Sequence, residues 1–260
     1  MRVQEIMDRT YPPLYADEFA TKARAVLRNR ELRILPIVDE QKRLIGVISR
    51  GDIMTITSSV SLIRVKGIMS TPKFVATVDM DALHATREMI RLDEWYVPVV
   101  KSAQDSSYMG VLGLEHFLSM FLEKGSAKLS KHVSEIMSTK VITCSPDDEV
   151  DNVWRLMQER ALAGIPVVEK GKLVGIVTQK NFLDSGVIFP MFEAKKGRFK
   201  APSKISSVMK TPVFSLKPTA TVREAAELML ERNIGRVPIT DEKGKLIGIV
   251  DREDVVKALL

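Results

Sequence analysis

Four stretches of this 260-residue chain carry the same spaced signature, and that repetition limits its possible folds more than any other feature. The dipeptides Ile6-Met7, Ile68-Met69, Ile136-Met137 and Val208-Met209 each precede a polar stretch. A proline follows each methionine after the same 29 residues, at Pro36, Pro98, Pro166 and Pro238. Each proline sits in a short apolar run that predicts a strand. A polar turn then leads to a second strand that opens at Gly46, Gly110, Gly175 or Gly248. Successive anchors lie 62, 68 and 72 residues apart, so the extra length belongs to the connections.

Each unit reads locally as strand, helix, strand, strand, helix. In the fourth, Val213-Phe214-Ser215-Leu216 predicts a short strand, and Thr221 with Glu224 forms a capping box at a helix start. Val222, Ala225, Ala226 and Met229 follow at helical spacing and predict one buried face, as Val150, Val153, Trp154 and Met157 do in the third unit. Asp241 to Gly244 has hairpin-turn composition, and a last helix is expected from Arg252 to Leu260. In the first unit Tyr11-Pro12-Pro13-Leu14-Tyr15 replaces the expected first strand, so a distorted edge is predicted there.

Composition narrows the function classes. Hydrophobic residues make up 45% and charged residues 28%, the balance of a globular chain. The single cysteine, Cys144, excludes an intramolecular disulfide framework and a multi-thiolate zinc site, and fits a reducing compartment. No run approaches the length of a membrane span and no signal-peptide core follows the first residues, so a soluble cytoplasmic protein is expected. The net charge of +6 leaves anionic partners open. No nucleophile elbow, phosphate loop, Gly-rich dinucleotide turn or metal-ligand spacing is present, and the four units use nearly the whole chain. An enzyme is not expected.

The anchors, the prolines and a tail of the form Gly-apolar-apolar-Ser/Thr-x-x-Asp resemble the cystathionine-β-synthase-type repeat, the CBS domain. The tail runs from Gly46 through Ser49 to Asp52, from Gly175 through Thr178 to Asn181, and from Gly248 through Asp251 to Asp254. The second unit departs furthest, with Gly113 and His116. The resemblance implies an α/β fold of four β-α-β-β-α repeats at 1–57, 62–123, 130–186 and 203–260. They would pair into two Bateman modules, 1–123 and 130–260, joined as a disc, with a basic linker at 187–202. It also implies a regulatory sensor whose clefts bind an adenosine-containing ligand, namely AMP, ADP, ATP, NAD or S-adenosylmethionine, and pass occupancy to a protein partner that the sequence does not identify. A monomeric disc and a homodimer both remain open.

Carried over by position, the resemblance implies unequal clefts. One centres on Asp254 as ribose ligand, with Arg236 as a phosphate-binding fork and an adenine wall from Ser138, Thr139, Ile142, Leu162 and Ala163 of the third unit. Asp251 stands there in place of a hydroxyl residue and repels phosphate, which favours a ligand with a positive end such as S-adenosylmethionine. A second centres on Asp52 and Ser49, walled by Phe74, Glu94 and Trp95, where Trp95 either stacks on a base or plugs the cleft. The third repeat offers Thr178 and Asn181, the amide being an uncharged and weaker ribose acceptor, and the cleft at Gly113 and His116 is expected to be empty. Against each stands helix capping, which uses Asp, Asn or Ser at the same place with no ligand.

A reading of another class rests on Lys195, Lys196, Arg198, Lys200 and Lys204, five basic residues in ten with Phe199 among them. They make either a solvated tether or a nucleic-acid contact in a scaffold protein with vestigial clefts.

Overall fold

The computed structural model describes residues 1–56, 61–186 and 203–260. The first unit runs β1 (Leu14–Tyr15), α1 (Ala20–Asn29), β2 (Ile34–Val38), β3 (Leu44–Ser49) and α2 (Arg50–Met54). The second repeats it as β4 (Ala76–Thr77), α3 (Ala82–Arg91), β5 (Tyr96–Val100), β6 (Tyr108–Gly113) and α4 (Leu114–Lys124). The third consists of α5 (Val150–Glu159), β7 (Gly164–Glu169), β8 (Lys172–Thr178) and α6 (Gln179–Ser185). The fourth consists of α7 (Val222–Glu231), β9 (Arg236–Thr240), β10 (Leu246–Asp251) and α8 (Arg252–Leu259). The expected α/β repeat is present four times, and among the described residues no helix is long and apolar enough to cross a membrane.

The first strands correct two expectations. The first unit, expected to be distorted, forms a two-residue parallel strand against β2, as β4 does against β5. The fourth, expected to have a strand over 213–216, keeps only the bridge Leu216–Ile239, and the third only Cys144–Val167. The prolines explain why all four are so short. In the third unit Cys144 N–H donates to the Pro166 carbonyl at 3.1 Å and Val168 N–H to the Cys144 carbonyl at 2.8 Å. The next ladder bond toward the amino terminus would need an N–H on Pro166, which proline lacks. Pro36, Pro98 and Pro238 stop the parallel pairing at the same point. Phe74, Ile142 and Phe214 lie just before that stop and are released from the sheet.

The units exchange their leading segments. Val3 N–H donates to Met80 O at 2.9 Å in the second unit, and Val65 N–H to Glu18 O at 2.8 Å in the first. Val133 N–H donates to Ala220 O at 2.8 Å in the fourth, and Ile205 N–H to Asp148 O at 2.9 Å in the third. Val3, Val65, Val133 and Ile205 are fully buried in those foreign positions. In three of the four cases the methionine that follows crosses the partner's second strand where that strand has a glycine. A Cβ on Gly46 would stand 2.7 Å from Met69 Sδ, and one on Gly248 would stand 2.5 Å from Met137 Sδ. At Gly46, Gly175 and Gly248 the recurrent Met and Gly are thus the two halves of one contact between paired units, whereas a Cβ on Gly110 would meet the backbone of Asp8, the residue after Met7. A single unit lacks part of its own core, so pairing is required.

Helices join the two pairs. One core contains the buried faces of α3, α4, α7 and α8, from the second and fourth units, including Met89, Phe117, Leu118, Met229 and Val255. The other contains α1, α2, α5 and α6, from the first and third, including Leu27, Ile53, Trp154 and Phe182. Each such side chain taken from water contributes about 1.5–3 kcal/mol. An ion pair crosses the first interface. Arg252, at 1% side-chain exposure, meets Glu115 at 3.0 Å and donates to the Tyr96 hydroxyl at 2.6 Å. On the other side, Lys180 of the third unit meets Glu31 of the first at 3.2 Å.

Candidate functional site

A cavity of about 470 Å³ lies where the four units meet. Its walls come from equivalent positions. The first helix of each unit ends at a residue of left-handed backbone, Glu31, Asp93, Ala161 or Asn233, with φ of 56°, 55°, 51° and 48°. All four line the cavity. This conformation suits Asn233 and Asp93 and costs Glu31 and Ala161 on the order of 1 kcal/mol each. It turns the chain from helix into strand and carries Arg33, Trp95, Ala163 and Arg236 past the cavity. The second helices of the first and third units begin there too, contributing Ser49 with Arg50, and Thr178 through Asn181.

The capping alternative is realised at all four second helices. Ser49 N–H and Oγ both donate to Asp52 Oδ2 at 2.7 Å. Thr178 N–H and Oγ1 donate to Asn181 Oδ1 at 2.9 and 2.7 Å. Asp251 N–H donates to Asp254 Oδ2, and Asp254 N–H to Asp251 Oδ1, both at 3.0 Å. In the second unit Gly113 N–H donates to His116 Nδ1 at 2.9 Å, and burial lowers the imidazole pKa. Capping fixes orientation. With Asn181 Oδ1 accepting from Thr178, its amide nitrogen is the group left unengaged, so this position presents a donor where Asp52 and Asp254 present carboxylate oxygens.

The sequence candidates divide into two groups. Ser49, Trp95, Ala163, Thr178, Asn181 and Arg236 line the cavity, whereas Asp52, Phe74, Ser138, Thr139, Ile142, Leu162, Asp251 and Asp254 lie outside its lining. Ser138 pairs with Ile249 through two backbone bonds of 2.9 and 3.0 Å, which sets the third unit's segment beside the strand that leads to Asp251. Burial, with the Asp251 charge adding to it, pushes the Asp254 carboxyl up to about 6. Burial likewise raises Asp251.

Trp95 lines the cavity and also reaches the fourth unit. Its ring stands against the fourth unit, where a Cβ on Gly235 would be 2.8 Å from Cζ3, and its Nε1–H donates to Glu253 Oε2 at 3.2 Å. The Arg236 guanidinium lies 4.9 Å from the ring centroid. The residue expected to wall the Asp52 cleft therefore also links the second unit to the fourth.

Sequence reasoning missed Lys210, Pro212, Val213, Phe214, Arg232 and Arg33, all in the cavity wall. Pro212 to Phe214 occupy the fourth unit's counterpart of the wall assigned around Ile142, so the repeat spacing of 72 was the signal for them. Phe214 is 38% exposed, with the Arg232 guanidinium 4.8 Å from its centroid. Arg33 lies over Tyr96 at 5.6 Å. Among the described residues, the guanidiniums of Arg33, Arg232 and Arg236 form no ion pair or hydrogen bond. Burial lowers the Arg236 pKa, and the Arg33 charge adds to that effect against the opposing pull of Asp251 and Asp254. Of the basic linker, Lys195, Lys196, Arg198, Phe199 and Lys200 lie outside the described residues, and Lys204 pairs with Asp147 at 2.9 Å.

The chain matches the CBS domain family over residues 3–58, 133–187 and 205–260, more than half of its length. It is 30% identical over 172 residues to an inosine-5'-monophosphate dehydrogenase of Korarchaeum cryptofilum, covering 61% of this chain and 33% of that enzyme. It thus spans about a third of that relative's length. It is 32% identical over 155 residues to protein MJ1426 of Methanocaldococcus jannaschii, covering 49% of this chain and 90% of that one. The crystal structure of MJ1225 from the same organism superposes with a TM-score of 0.88 at 20% identity, over 100% of both chains. The chain belongs to the CBS domain family.

Proposed function

We propose that this CBS-domain chain is a non-catalytic regulator that binds an adenosine-bearing ligand where the third unit's Thr178 and Asn181 face Pro212, Val213 and Phe214 of the fourth. The observation that carries this reading is the opening of that cleft into a cavity of about 470 Å³, within the ordinary range for small-molecule sites. Phe214, released from the sheet by Pro238, offers a flat apolar face for a purine. The Asn181 amide donates to a ribose oxygen. Ser49 and Arg50 open onto the same cavity from the first unit.

The four repeats are assigned to 1–57, 62–123, 130–186 and 203–260, in modules 1–123 and 130–260, each lending its leading turn to its neighbour. The outer cleft at Asp254 and Asp251, with Ser138, Thr139, Ile142 and Leu162 of the third unit, is assigned to a ligand with a positive end, because two buried carboxyls disfavour phosphate. Ligand at either cleft acts on strands that lead directly into the helices joining the modules. Its effect on a partner protein is limited to its difference in affinity between two module arrangements.

The test is calorimetric titration and thermal shift of ligand-stripped protein with adenosine, AMP, ADP, ATP, NAD and S-adenosylmethionine. A ligand present at 100 times its Kd adds about 2.7 kcal/mol of apparent stability. Binding lost in Asn181→Ala and Phe214→Ala supports the inner cleft, whereas binding lost only in Asp254→Ala moves the site to the outer one.

A further inference from the structure

Tyr11 opens the stretch that stands in place of an expected first strand, and it is only 8% exposed. A fixed turn delivers it. Asp8 exchanges backbone bonds of 2.9 and 3.0 Å with Val111 of the second unit, and Thr10 N–H and Oγ1 both donate to Asp8 Oδ1 at 2.7 Å. Pro12 follows and restricts Tyr11 to extended backbone. The Tyr108 hydroxyl donates to the Tyr11 carbonyl at 2.8 Å. The ring thereby comes to lie between β2 of the first unit and β6 of the second, packed with Ile34, Tyr96 and Val111.

The hydroxyl meets a backbone edge that Pro36 leaves open. Val47, which stands opposite Pro36 in β3, exchanges its backbone bonds with Ser70 at 2.9 and 3.0 Å, so this pair is not hydrogen-bonded across the two strands. Bonded and unbonded pairs alternate in an antiparallel ladder, and Ile34 with Ser49 is therefore again an unbonded pair. The N–H and C=O of Ile34 face away from β3, toward the side where the parallel first strand stops. The Tyr11 hydroxyl takes up both groups, donating to Ile34 O at 2.8 Å and accepting from Ile34 N–H at 3.4 Å. Burial pushes the phenol pKa upward, which keeps its proton in place for that bond. Lys73, Val141 and Val213 hold the same place, four residues after Met69, Met137 and Met209, and none carries a hydroxyl. The corresponding stretch leaves Ile142 39% exposed in the third unit and Phe214 38% exposed in the fourth. The first unit fills this place with a ring of its own.

We propose that Tyr11 is a tethered ligand: its phenol occupies a binding cleft between the first and second units, and the class of molecule that fits there is a flat ring carrying a hydroxyl at its edge. Tyr96, which packs on Tyr11, pairs with Gly113, so the cleft at Gly113 and His116 is filled from within the chain rather than empty. While Tyr11 is in place the first module stands permanently in its occupied arrangement, and ligand-dependent movement is left to the second. Only that division between modules rests on the function proposed above; the cleft and its occupant do not.

The experiment uses the full chain carrying Tyr11→Ala, titrated by calorimetry with p-cresol, which is the tyrosine side chain without its backbone, and with toluene, which lacks the hydroxyl. Wild type should bind neither. Tyr11→Ala should melt below wild type and bind p-cresol saturably, about tenfold tighter than toluene, because toluene leaves the Ile34 backbone groups unpaired. Amide exchange in β2 and β6 should quicken in Tyr11→Ala and slow again with p-cresol more than with toluene. Tyr11→Phe keeps the ring and should bind neither probe. If Tyr11→Ala does not fold, Tyr11→Val carries the test, since the third and fourth units have Val141 and Val213 at the same place. Adenosine binding is a separate readout: its absence, with p-cresol bound as described, would overturn the function proposed above and leave the tethered ligand standing. The proposal is overturned if folded Tyr11→Ala or Tyr11→Val binds p-cresol no better than wild type does, or if toluene binds as tightly as p-cresol.

Discussion

Met209 of the fourth unit crosses directly over Gly175 of the third, its sulfur 2.6 Å from where a β-carbon on that glycine would stand. Gly175→Ala should therefore destabilise the chain by about 1–3 kcal/mol, the usual result of overpacking a close contact. Gly51→Ala is the control, because its added methyl would meet only Ser49 Oγ at 3.5 Å in a helix that favours alanine. Urea denaturation of the two variants checks this. Truncating the methionine in the double variant Gly175→Ala with Met209→Ala should give a loss smaller than the sum of the single changes.

The ion pair across the second and fourth units predicts a larger effect. Glu115→Ala leaves Arg252 buried without a carboxylate, and should lower stability by about 3 kcal/mol. Tyr96→Phe removes one hydrogen bond of 2.6 Å to the same guanidinium and should cost about 1.5–3 kcal/mol. Both are read from denaturation midpoints. The Glu115 variant should also loosen the module interface, seen as faster amide exchange in α4 and α8.

Asp254 predicts a pH dependence of unusual sign for a carboxylate. Its folded pKa of about 6 lies above the ordinary value of 3.8, so the folded state holds more protons than the unfolded one between about pH 4 and 6. Stability from this group is present at the acid end of that window and falls as pH rises through it. Asp254→Asn keeps an oxygen to accept from Asp251 N–H and removes the charge. The variant should melt above wild type at about pH 7, and the gap should close as pH falls toward 4. A gap that stays constant with pH would show that Asp254 is not held with a raised pKa.

Much of the fold was legible because repetition reports on it four times. The prolines, the Thr221–Glu224 capping box and the buried faces of α5 and α7 stand where the sequence placed them, whereas the strands expected to open at Gly46, Gly110, Gly175 and Gly248 begin two or three residues earlier. What the sequence did not disclose is which unit each leading segment completes. Val3 looks like the start of its own unit, but it is buried against the second, and exchange leaves no mark on local pattern. Ranking the clefts by ribose carboxylate favours Asp254, whereas enclosure, which depends on how far Trp95, Arg33 and Arg236 reach between units, is not written in the sequence. Phe214 was hidden for a related reason, since it reads as a strand residue until the missing N–H of Pro238 is set against it.

Asn181 gives a further prediction within the cleft. Asn181→Asp restores an acceptor toward ribose hydroxyls and should tighten binding of uncharged adenosine. The same charge, close to Arg236 and Arg33, should weaken ATP relative to adenosine, so that the ratio of the two affinities moves by about tenfold. Competition between the two ligands in one titration reads the ratio directly.

The most direct test of the central claim is calorimetric titration of ligand-stripped wild type and Asn181→Ala with ATP and adenosine. Saturable binding to wild type that is weakened in Asn181→Ala, with the variant's melting point unchanged in the absence of ligand, is the predicted result. No binding to wild type, or equal binding to both proteins, would contradict it.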